Sequence, residues 1–405
     1  MTQLLLLTPQ LPYPAHQGTS LRNFHIIRGL ADEYEITLLS FLEENQTAVS
    51  EKIEPLLKLL HKLETVPVPQ RNTQKRLEQL LTTTRPDMAH RLYDEMFVHK
   101  LTQLLRDHAF EIVQIEGIEL ARYIDIVRAE NPNGKIIFDD HNAETELQRR
   151  NMLTDLGQPK RWVAAAYSWV QVQRLHRFER WAMQNADWTT AVSEADKVLL
   201  QNLAHDPHVQ ITAIPNCIDT ETYVHIEETP IRFDLLFSGK MDYRPNVDAV
   251  LWFADHVWPT LVAKRPSTTW AIVGQKPHPR LERLRGMKGI TITGWVESVR
   301  PYLAGTKIYI MPFRVGSGTR LKLIEAMAAG KMIVSTQIGA EGFPVEDGQE
   351  LRLVNDADGM EAAVLQLLND EERRKKYGRV AQQFAQQYDW RHVIPAFKQI
   401  YQNLR

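Results

Sequence analysis

The sequence predicts an α/β protein made of two doubly wound parallel-sheet domains. Two observations carry this: the length of the chain, and the way short apolar runs alternate with longer amphipathic stretches in two series. The 405 residues exceed one ordinary domain and fit two of roughly 200 each. The first series of apolar runs falls at 4–7, 36–41, 112–115, 136–138 and 189–192. The second falls at 211–214, 235–237, 270–273, 290–293, 308–311, 333–335 and 351–354. Each is rich in Val, Ile and Leu, and most end in a polar or glycine turn. Continuous apolar runs suit strands covered on both faces, which is the arrangement of a parallel sheet between helix layers.

Punctuation along the chain refines this. Ser193-Glu194-Ala195-Asp196 reads as a capping box opening a helix. Ala204-His205-Asp206-Pro207 reads as a break, so the domain boundary is expected near 203–212. The last stretch carries Trp390, Val393, Ile394, Phe397, Ile400, Tyr401 and Leu404 on one helical face, which has to dock on another surface. Residues 161–185 place Trp162, Ala165, Trp169, Leu175, Phe178 and Trp181 beside Arg174, Arg177 and Arg180. The spacing is that of a helix facing its own core, with a membrane-surface helix as the alternative. Arg71, Lys75, Arg76, Arg85 and Arg91 read as a solvated face, the alternative being contact with a lipid-linked acceptor.

Composition excludes several function classes. Hydrophobic residues make up 43% and charged residues 24%, and the formal charge is −2, so no global attraction to nucleic acid or anionic lipid is expected. The single cysteine, Cys217, rules out an intrachain disulfide and a multi-thiolate zinc site. No signal peptide is expected from the first residues, and no run of about 20 apolar residues is found. The expected location is cytoplasmic, with contact at the inner face of a membrane left open.

The segment from Tyr309 to Gly330 is the richest in chemistry. It reads strand, glycine turn, helix, glycine stop. Gly316 and Gly318 allow close backbone approach to a ligand, and the following helix N-terminus favours an anion. Arg320 and Lys322 add positive charge. Glu325 sits in an apolar helix, where a carboxylate is costly unless partnered, and its oxygens suit the vicinal hydroxyls of a ribose. A salt bridge from Glu325 to Arg320 or Lys322 is the competing reading. Gly239-Lys240 ends an apolar strand, the place where such folds hold ligands. In the first half, the Pro-rich loop 8–18 follows the first strand and lacks G-x-G-x-x-G, which argues against a dinucleotide fingerprint. Phe138-Asp139-Asp140-His141-Asn142-Ala143-Glu144 puts polar groups just past a strand end. A metal held by Asp139, His141 and Glu144, or a helix cap from Asp139 and Asn142, are the alternatives there.

Together with Val192–Asp196, Ile214–Asp219, Phe237–Lys240 and Ile292–Val296, that segment resembles the donor-binding half of retaining GT-B glycosyltransferases, in particular glycosyltransferase family 4, of the kind found in exopolysaccharide clusters. The resemblance implies a GT-B fold with a nucleotide-sugar in the cleft between two Rossmann-like domains. The implied division is an acceptor-side domain 1–205, a donor-side domain 206–387, and a helix 388–405 returning to the first domain. Glu325 matches the second of the family's paired glutamates, which holds the donor ribose; the first falls at Ser317, where this sequence departs. Gly318 and Thr319 match the backbone near the sugar and pyrophosphate. Lys240 matches a basic residue after the first strand of that domain, and Arg244 lies one residue short of the second basic position. Gly294, Trp295 and Val296 match the turn along the nucleobase. Gly18 is implied to face the donor phosphates, with Arg22 near, and His141 to line the cleft beside the reacting sugar.

The implied reaction moves a sugar from a UDP, GDP, ADP or dTDP donor to a glycan or lipid-linked hydroxyl, with retention of configuration. No cofactor and no metal are expected, because Lys240, Arg244 and the helix N-terminus would hold the departing diphosphate. A nucleotide-sugar epimerase on the same scaffold and a degenerate, non-catalytic binding protein are the rival readings.

Overall fold

In the computed structural model residues 1–405 are described apart from 16, 17, 45, 47, 49, 158–161, 228, 317 and 405. The chain forms two compact units. One comprises Met1–Cys217 with Val393–Arg405, the other Ile218–His392.

The first unit holds a seven-stranded sheet of β1 (Thr2–Thr8), β2 (Tyr34–Leu42), β3 (Lys62–Pro67), β4 (Ile112–Glu116), β5 (Lys135–Asp140), β6 (Trp188–Ala191) and β7 (Ile211–Ala213). Their order is β3-β2-β1-β4-β5-β6-β7, and every pairing is parallel. Leu4, Leu5, Leu6 and Leu7 are all fully buried, so β1 is covered on both faces, as its unbroken apolar run requires. Each such side chain contributes about 1.5–3 kcal/mol of burial free energy.

Two features differ from expectation. β3 was not anticipated: its residues are mostly half-buried, as befits an edge strand without an apolar run. β7 pairs with β6 rather than opening the second series, so the division falls after Cys217 and not at 205/206. Of the capping box the N-cap half forms, with Ser193 Oγ accepting from the Asp196 amide at 3.0 Å ahead of the helix Glu194–Ala204, while the Asp196 carboxylate accepts from the Ser193 hydroxyl. The C-terminal helix Trp390–Asn403 buries Val393, Ile394, Phe397, Ile400 and Tyr401. Ile394 sits so close to Gly29 that a Cβ there would lie 2.5 Å from its Cγ2.

The second unit holds β8 (Phe233–Ser238), β9 (Trp270–Val273), β10 (Ile290–Gly294), β11 (Thr306–Met311), β12 (Met332–Ser335) and β13 (Arg352–Leu353), all parallel, in the order β10-β9-β8-β11-β12-β13. Strand order reverses between β1 and β4 in the first sheet and between β8 and β11 in the second. In doubly wound sheets the crevice outside the carboxyl ends at such a switch is where ligands bind.

Candidate functional site

At the switch of the second sheet, the carboxyl ends of β8, β9 and β10 finish in Gly239, Gly274 and Gly294, all with positive φ. A Cβ on Gly274 would lie 1.7 Å from the Gly239 carbonyl oxygen, so these strand ends meet backbone to backbone. Gly239 leaves room for something else. Lys322, in the helix Leu321–Ala328, reaches back so that its Nζ donates to Ser238 O at 2.7 Å and to Asn246 Oδ1 at 3.0 Å. A Cβ on Gly239 would lie 2.3 Å from that ammonium. Asn246 in turn donates to Lys240 O at 2.8 Å, which fixes the turn after β8. Burial, and then the charge of Arg320, pull the Lys322 ammonium down to about 7.

The glycine turn before that helix is braced from within. Gly316 and Gly318 both have positive φ, and Ser317 lies outside the described residues. Arg320 lays its guanidinium over the Phe313 ring and donates to Gly318 O at 3.2 Å and Ile338 O at 2.6 Å. It spends hydrogen bonds on the loop, so the positive charge expected there is more structural than the sequence suggested. The helix ends as predicted at Gly330, φ +64°, with amides of Gly330 and Lys331 returning to Met327 O and Ala326 O.

Glu325 is half-buried and accepts from the Tyr223 hydroxyl at 3.0 Å. Its competing reading, a salt bridge to Arg320 or Lys322, is not what the structure shows; Lys322 acts on it only through its charge. Burial pushes the Glu325 carboxyl up, Tyr223 and Lys322 pull against that, and burial together with Glu325 raises the Tyr223 phenol well above its ordinary value. Tyr223 went unremarked in the sequence because it lies 102 residues from its partner. Lys240 and Arg244 are exposed, Arg244 beginning the helix Arg244–His256. Trp295 is exposed after Gly294, and Val296 is half-buried.

The first sheet's switch is acidic. His141 follows β5, and its Nε2 lies 2.9 Å from Glu116 Oε2 at the end of β4 and 3.9 Å from Asp139 Oδ2. Glu116 is fully buried; its Oε1 accepts from Gln114 Nε2 at 2.5 Å, and Gln114 Oε1 accepts from the Tyr401 hydroxyl of the C-terminal helix. Burial and the nearby Asp139 push Glu116 up. Burial works against the His141 imidazolium, but the hydrogen bond it donates to Glu116 and the charge of Asp139 raise it. The other face of the ring approaches Gly117, φ +81°, where a Cβ would lie 3.6 Å from Nδ1. Holding Nε2–H on Glu116 leaves Nδ1 as the working atom.

Arg22 departs from expectation. Nε and Nη2 clasp Asp139 at 2.7 and 2.9 Å, Nη1 donates to Ile214 O at 2.9 Å and Pro215 O at 3.2 Å, and the residue is 1% exposed. It ties the start of the helix Gly18–Leu30 to β5 and to the chain after β7, and is not displayed to a phosphate. Gly18 is exposed at the first position of that helix. Burial works against ionising Asp139, and the Arg22 charge and hydrogen bond overcome it to hold the carboxyl below its usual range.

The structure also places the residues of the metal and cap readings. Glu116, Asp139 and His141 bring ligand atoms within 4.8 Å of one another, with Glu116 in the place expected of Glu144. Both Asp139 oxygens already accept from Arg22 and one also from Thr190, so a cation there would share the carboxylate with a buried guanidinium. The helix Glu144–Leu156 is capped by Glu179, whose oxygens accept from the amides of Glu144 at 2.7 Å and Thr145 at 3.1 Å, rather than by Asp139 or Asn142. Burial and neighbouring carboxylates raise Asp140 and bring Glu144 up to about 8.

Residues 18–222 match the family model described as Glycosyltransferase Family 4, and residues 232–370 match that of Glycosyl transferases group 1. The chain belongs to glycosyltransferase family 4. Among its relatives is a phosphatidyl-myo-inositol mannosyltransferase of Mycolicibacterium smegmatis, 32% identical over 176 residues, which are 42% of this chain and 45% of that one. A glycogen synthase of Mycobacterium tuberculosis is 26% identical over 264 residues, 61% of each chain. The matched segments thus span about half the length of these relatives. Among solved structures, Anabaena HepE in complex with UDP and glucose aligns over 100% of both chains with a TM-score of 0.65 at 15% identity, a likeness of fold. Family 4 membership and the two parallel-sheet Rossmann-like units give the GT-B fold class that the sequence predicted.

Proposed function

We propose that this family 4 protein transfers a sugar from a nucleoside-diphosphate sugar to an acceptor hydroxyl with retention of configuration and without a metal. One observation carries the reading. At the switch of the second sheet, a single helix turns a half-buried cation, Lys322, toward the glycine-lined strand ends and a partnered carboxylate, Glu325, toward Tyr223. A diphosphate over Gly239 and Gly318 would meet Lys322, Lys240, Arg244 and the helix N-terminus. Glu325 would exchange the Tyr223 hydroxyl for, or share it with, the ribose hydroxyls. HepE, a protein of similar fold, is a UDP complex, which supports the donor class.

In the proposed reaction the acceptor oxygen forms a bond to the anomeric carbon while the bond from that carbon to the β-phosphate oxygen breaks. The acceptor proton passes to the departing phosphate, so no protein base is required. The charge that gathers on the diphosphate is what the cations stabilise, and this makes a metal unnecessary. His141, held by Glu116, serves the reacting sugar. The acceptor is a glycan or lipid-linked hydroxyl, and a relative named for phosphatidyl-myo-inositol supports the lipid-linked class.

Calorimetry with UDP, GDP, ADP and dTDP tests the donor site. One of the four binds to the wild type, and Glu325→Ala weakens it by roughly tenfold to a hundredfold, the scale of a charge-assisted hydrogen bond. Binding that Glu325→Ala leaves unchanged would remove the ribose assignment. An inverted anomeric centre in the product, read by NMR, would remove retention.

A further inference from the structure

The second sheet has a cavity at the amino ends of its strands, opposite the switch. It measures about 670 Å³ and opens where β8 and β11 begin, so that Phe233, Asp234, Thr306 and Lys307 line it, together with Lys331 just before β12. A strand rises about 3.3 Å per residue, which sets this cavity about 20 Å from Gly239 along β8. The helix Leu321–Ala328 joins the two places. Lys322 lies in its first turn beside Gly239, while Ala329 and Lys331 follow its last turn and line the cavity. Lys331 is half-buried there. Its Nζ donates to Ala304 O at 2.9 Å and, more weakly, to Thr306 O at 3.4 Å, both residues of the cavity wall. An ammonium has three N–H groups, and the third finds no acceptor among the described residues. Burial alone draws this ammonium down to about 8, with no carboxylate acting to raise it.

The neighbouring groups leave that ammonium to a ligand. Asp234 accepts from Lys307 Nζ at 2.8 Å and from the Thr269 amide at 3.0 Å, so its carboxylate is spent. Glu227 and Arg232 also line the cavity but are exposed, where water and salt screen them. The carbonyls that end the helix Leu321–Ala328 do not need the lysine side chain either. Glu325 O, Ala326 O and Met327 O accept from the amides of Ala329, Lys331 and Gly330, and Ala328 O accepts from Gln382 Nε2. Near the ammonium, Val224, Ile226 and Phe233 contribute half-buried apolar surface. A cation answered only by carbonyl oxygens, in a space far larger than a bare phosphate ion and partly apolar, suits an anionic group carried on a compact organic body. Tyr223 belongs to both places: it lines the cavity, and its hydroxyl donates to Glu325 Oε1 at 3.0 Å.

We propose that this cavity binds a small organic phosphate gripped by Lys331, and that its occupant changes donor affinity through Tyr223. Binding in the cavity stands apart from the proposed function; the effect on the donor rests on Glu325 holding the ribose. The probe is 1-naphthyl phosphate, titrated by calorimetry beside inorganic phosphate and 1-naphthol. Wild-type protein binds the ester more tightly than either part. Lys331→Met weakens it roughly tenfold or more, the scale of a charge-assisted hydrogen bond. Val224→Trp, which fills the space and keeps the charge, weakens it as well. Lys331→Met still melts cooperatively and still binds whichever of UDP, GDP, ADP and dTDP the wild type binds, which shows a folded second unit. Saturating naphthyl phosphate shifts the affinity for that nucleotide by about fivefold or more, and the nucleotide shifts the affinity for naphthyl phosphate by the same factor. In Tyr223→Phe both ligands bind and both shifts vanish. A wild type that binds the ester no better than 1-naphthol, or binding that Lys331→Met and Val224→Trp leave unchanged, would overturn the site. So would binding lost in Lys322→Met and kept in Lys331→Met, because the phosphate would then lie at the donor end of the helix. Nucleotide affinity that is equal with and without the ester would overturn the coupling. Wild-type protein that binds the ester and none of the four nucleotides would sink the donor reading and leave the cavity site standing.

Discussion

The two sheets present opposite chemistry at their switch points. The first gathers carboxylates: Glu116, Asp139, Asp140 and Glu144 lie about the ends of β4 and β5, answered by Arg22 and His141. The second gathers cations: Lys322 and Arg320 lie under the glycine strand ends and are answered chiefly by carbonyl oxygens. The difference is one of completion. Arg22 and Asp139 satisfy each other inside the first unit, at 1% and 0% exposure, so that pair belongs to the fold. Lys322 has no carboxylate within hydrogen-bonding reach among its named partners, and its pKa is drawn down to about 7. A cation held that way is short of an anion, and a diphosphate would complete it. Buried charge of similar appearance therefore stabilises one unit and, on the proposed function, serves a substrate in the other.

Removing one member of each group should separate these roles. Asp139→Asn strands Arg22 in the interior, and the first unit should lose about 3–5 kcal/mol in denaturant unfolding. Lys322→Met should change stability by less than about 2 kcal/mol, since relief of the ammonium's burial offsets the loss of its bonds to Ser238 O and Asn246 Oδ1. Its turnover should fall roughly 10²–10³-fold, the scale of losing one preorganised group at a developing charge. If Lys322→Met unfolds the protein while Asp139→Asn is tolerated, the comparison is backwards.

Titration sharpens the same contrast. Glu144, raised to about 8, favours the folded first unit fully below its unfolded value near 4.5. That contribution is lost as pH rises through 8, and Glu116 and Asp140, also raised, run in the same sense. Lys322 runs the other way. With its folded pKa at about 7 against 10.5 unfolded, its charged form opposes folding, and stability from this group grows as pH climbs from 7 to above 10. Hydrogen exchange of β5 and β8 amides, corrected for intrinsic rates, should show protection falling in the first and rising in the second between pH 7 and 9. Donor affinity should fall over the same interval, because binding a diphosphate requires the protonated lysine. An affinity that is flat from pH 6 to 9 would remove Lys322 from the donor site.

How much of this could be read in advance depends on sequence distance. Gly318, Lys322 and Glu325 lie in one contiguous strand–turn–helix, and local rules place them together. The apolar runs gave the two parallel sheets, because β1, β5, β8 and β11 are buried on both faces. β3 escaped notice because an edge strand needs no such run, and β7 was given to the wrong sheet because three residues do not say which neighbour they will pair with. The same limit hid Tyr223 and the Glu179 cap, whose partners come from other elements. Arg22 was misread for a related reason: an arginine near a helix start resembles a phosphate ligand until Asp139, 117 residues away, is brought against it. Trp162 and Trp169 stand exposed, because periodicity reports a stripe but not whether anything packs against all of it.

The smallest effect tests the longest connection. Tyr401 donates to Gln114, Gln114 to Glu116, and Glu116 holds His141, so the C-terminal helix reaches the histidine through three side chains of which none is exposed. The order of donors is fixed. The phenol takes the amide oxygen, which turns the amide nitrogen to Glu116 and favours its carboxylate. Tyr401→Phe removes only the first donor, at a cost of about 1 kcal/mol in stability. Freed from the phenol, the Gln114 amide no longer has one preferred orientation, the Glu116 carboxylate loses support, and the His141 imidazolium loses part of the charge that raised it. The ¹⁵N-detected titration midpoint of His141 should fall by up to about one unit, equivalent to 1.36 kcal/mol. Glu116→Gln should lower it further and release the Nε2–H tautomer. Equal midpoints in wild type and Tyr401→Phe, with Glu116→Gln still shifted, would show that the connection ends at Gln114 and that Glu116 alone is the positioning residue.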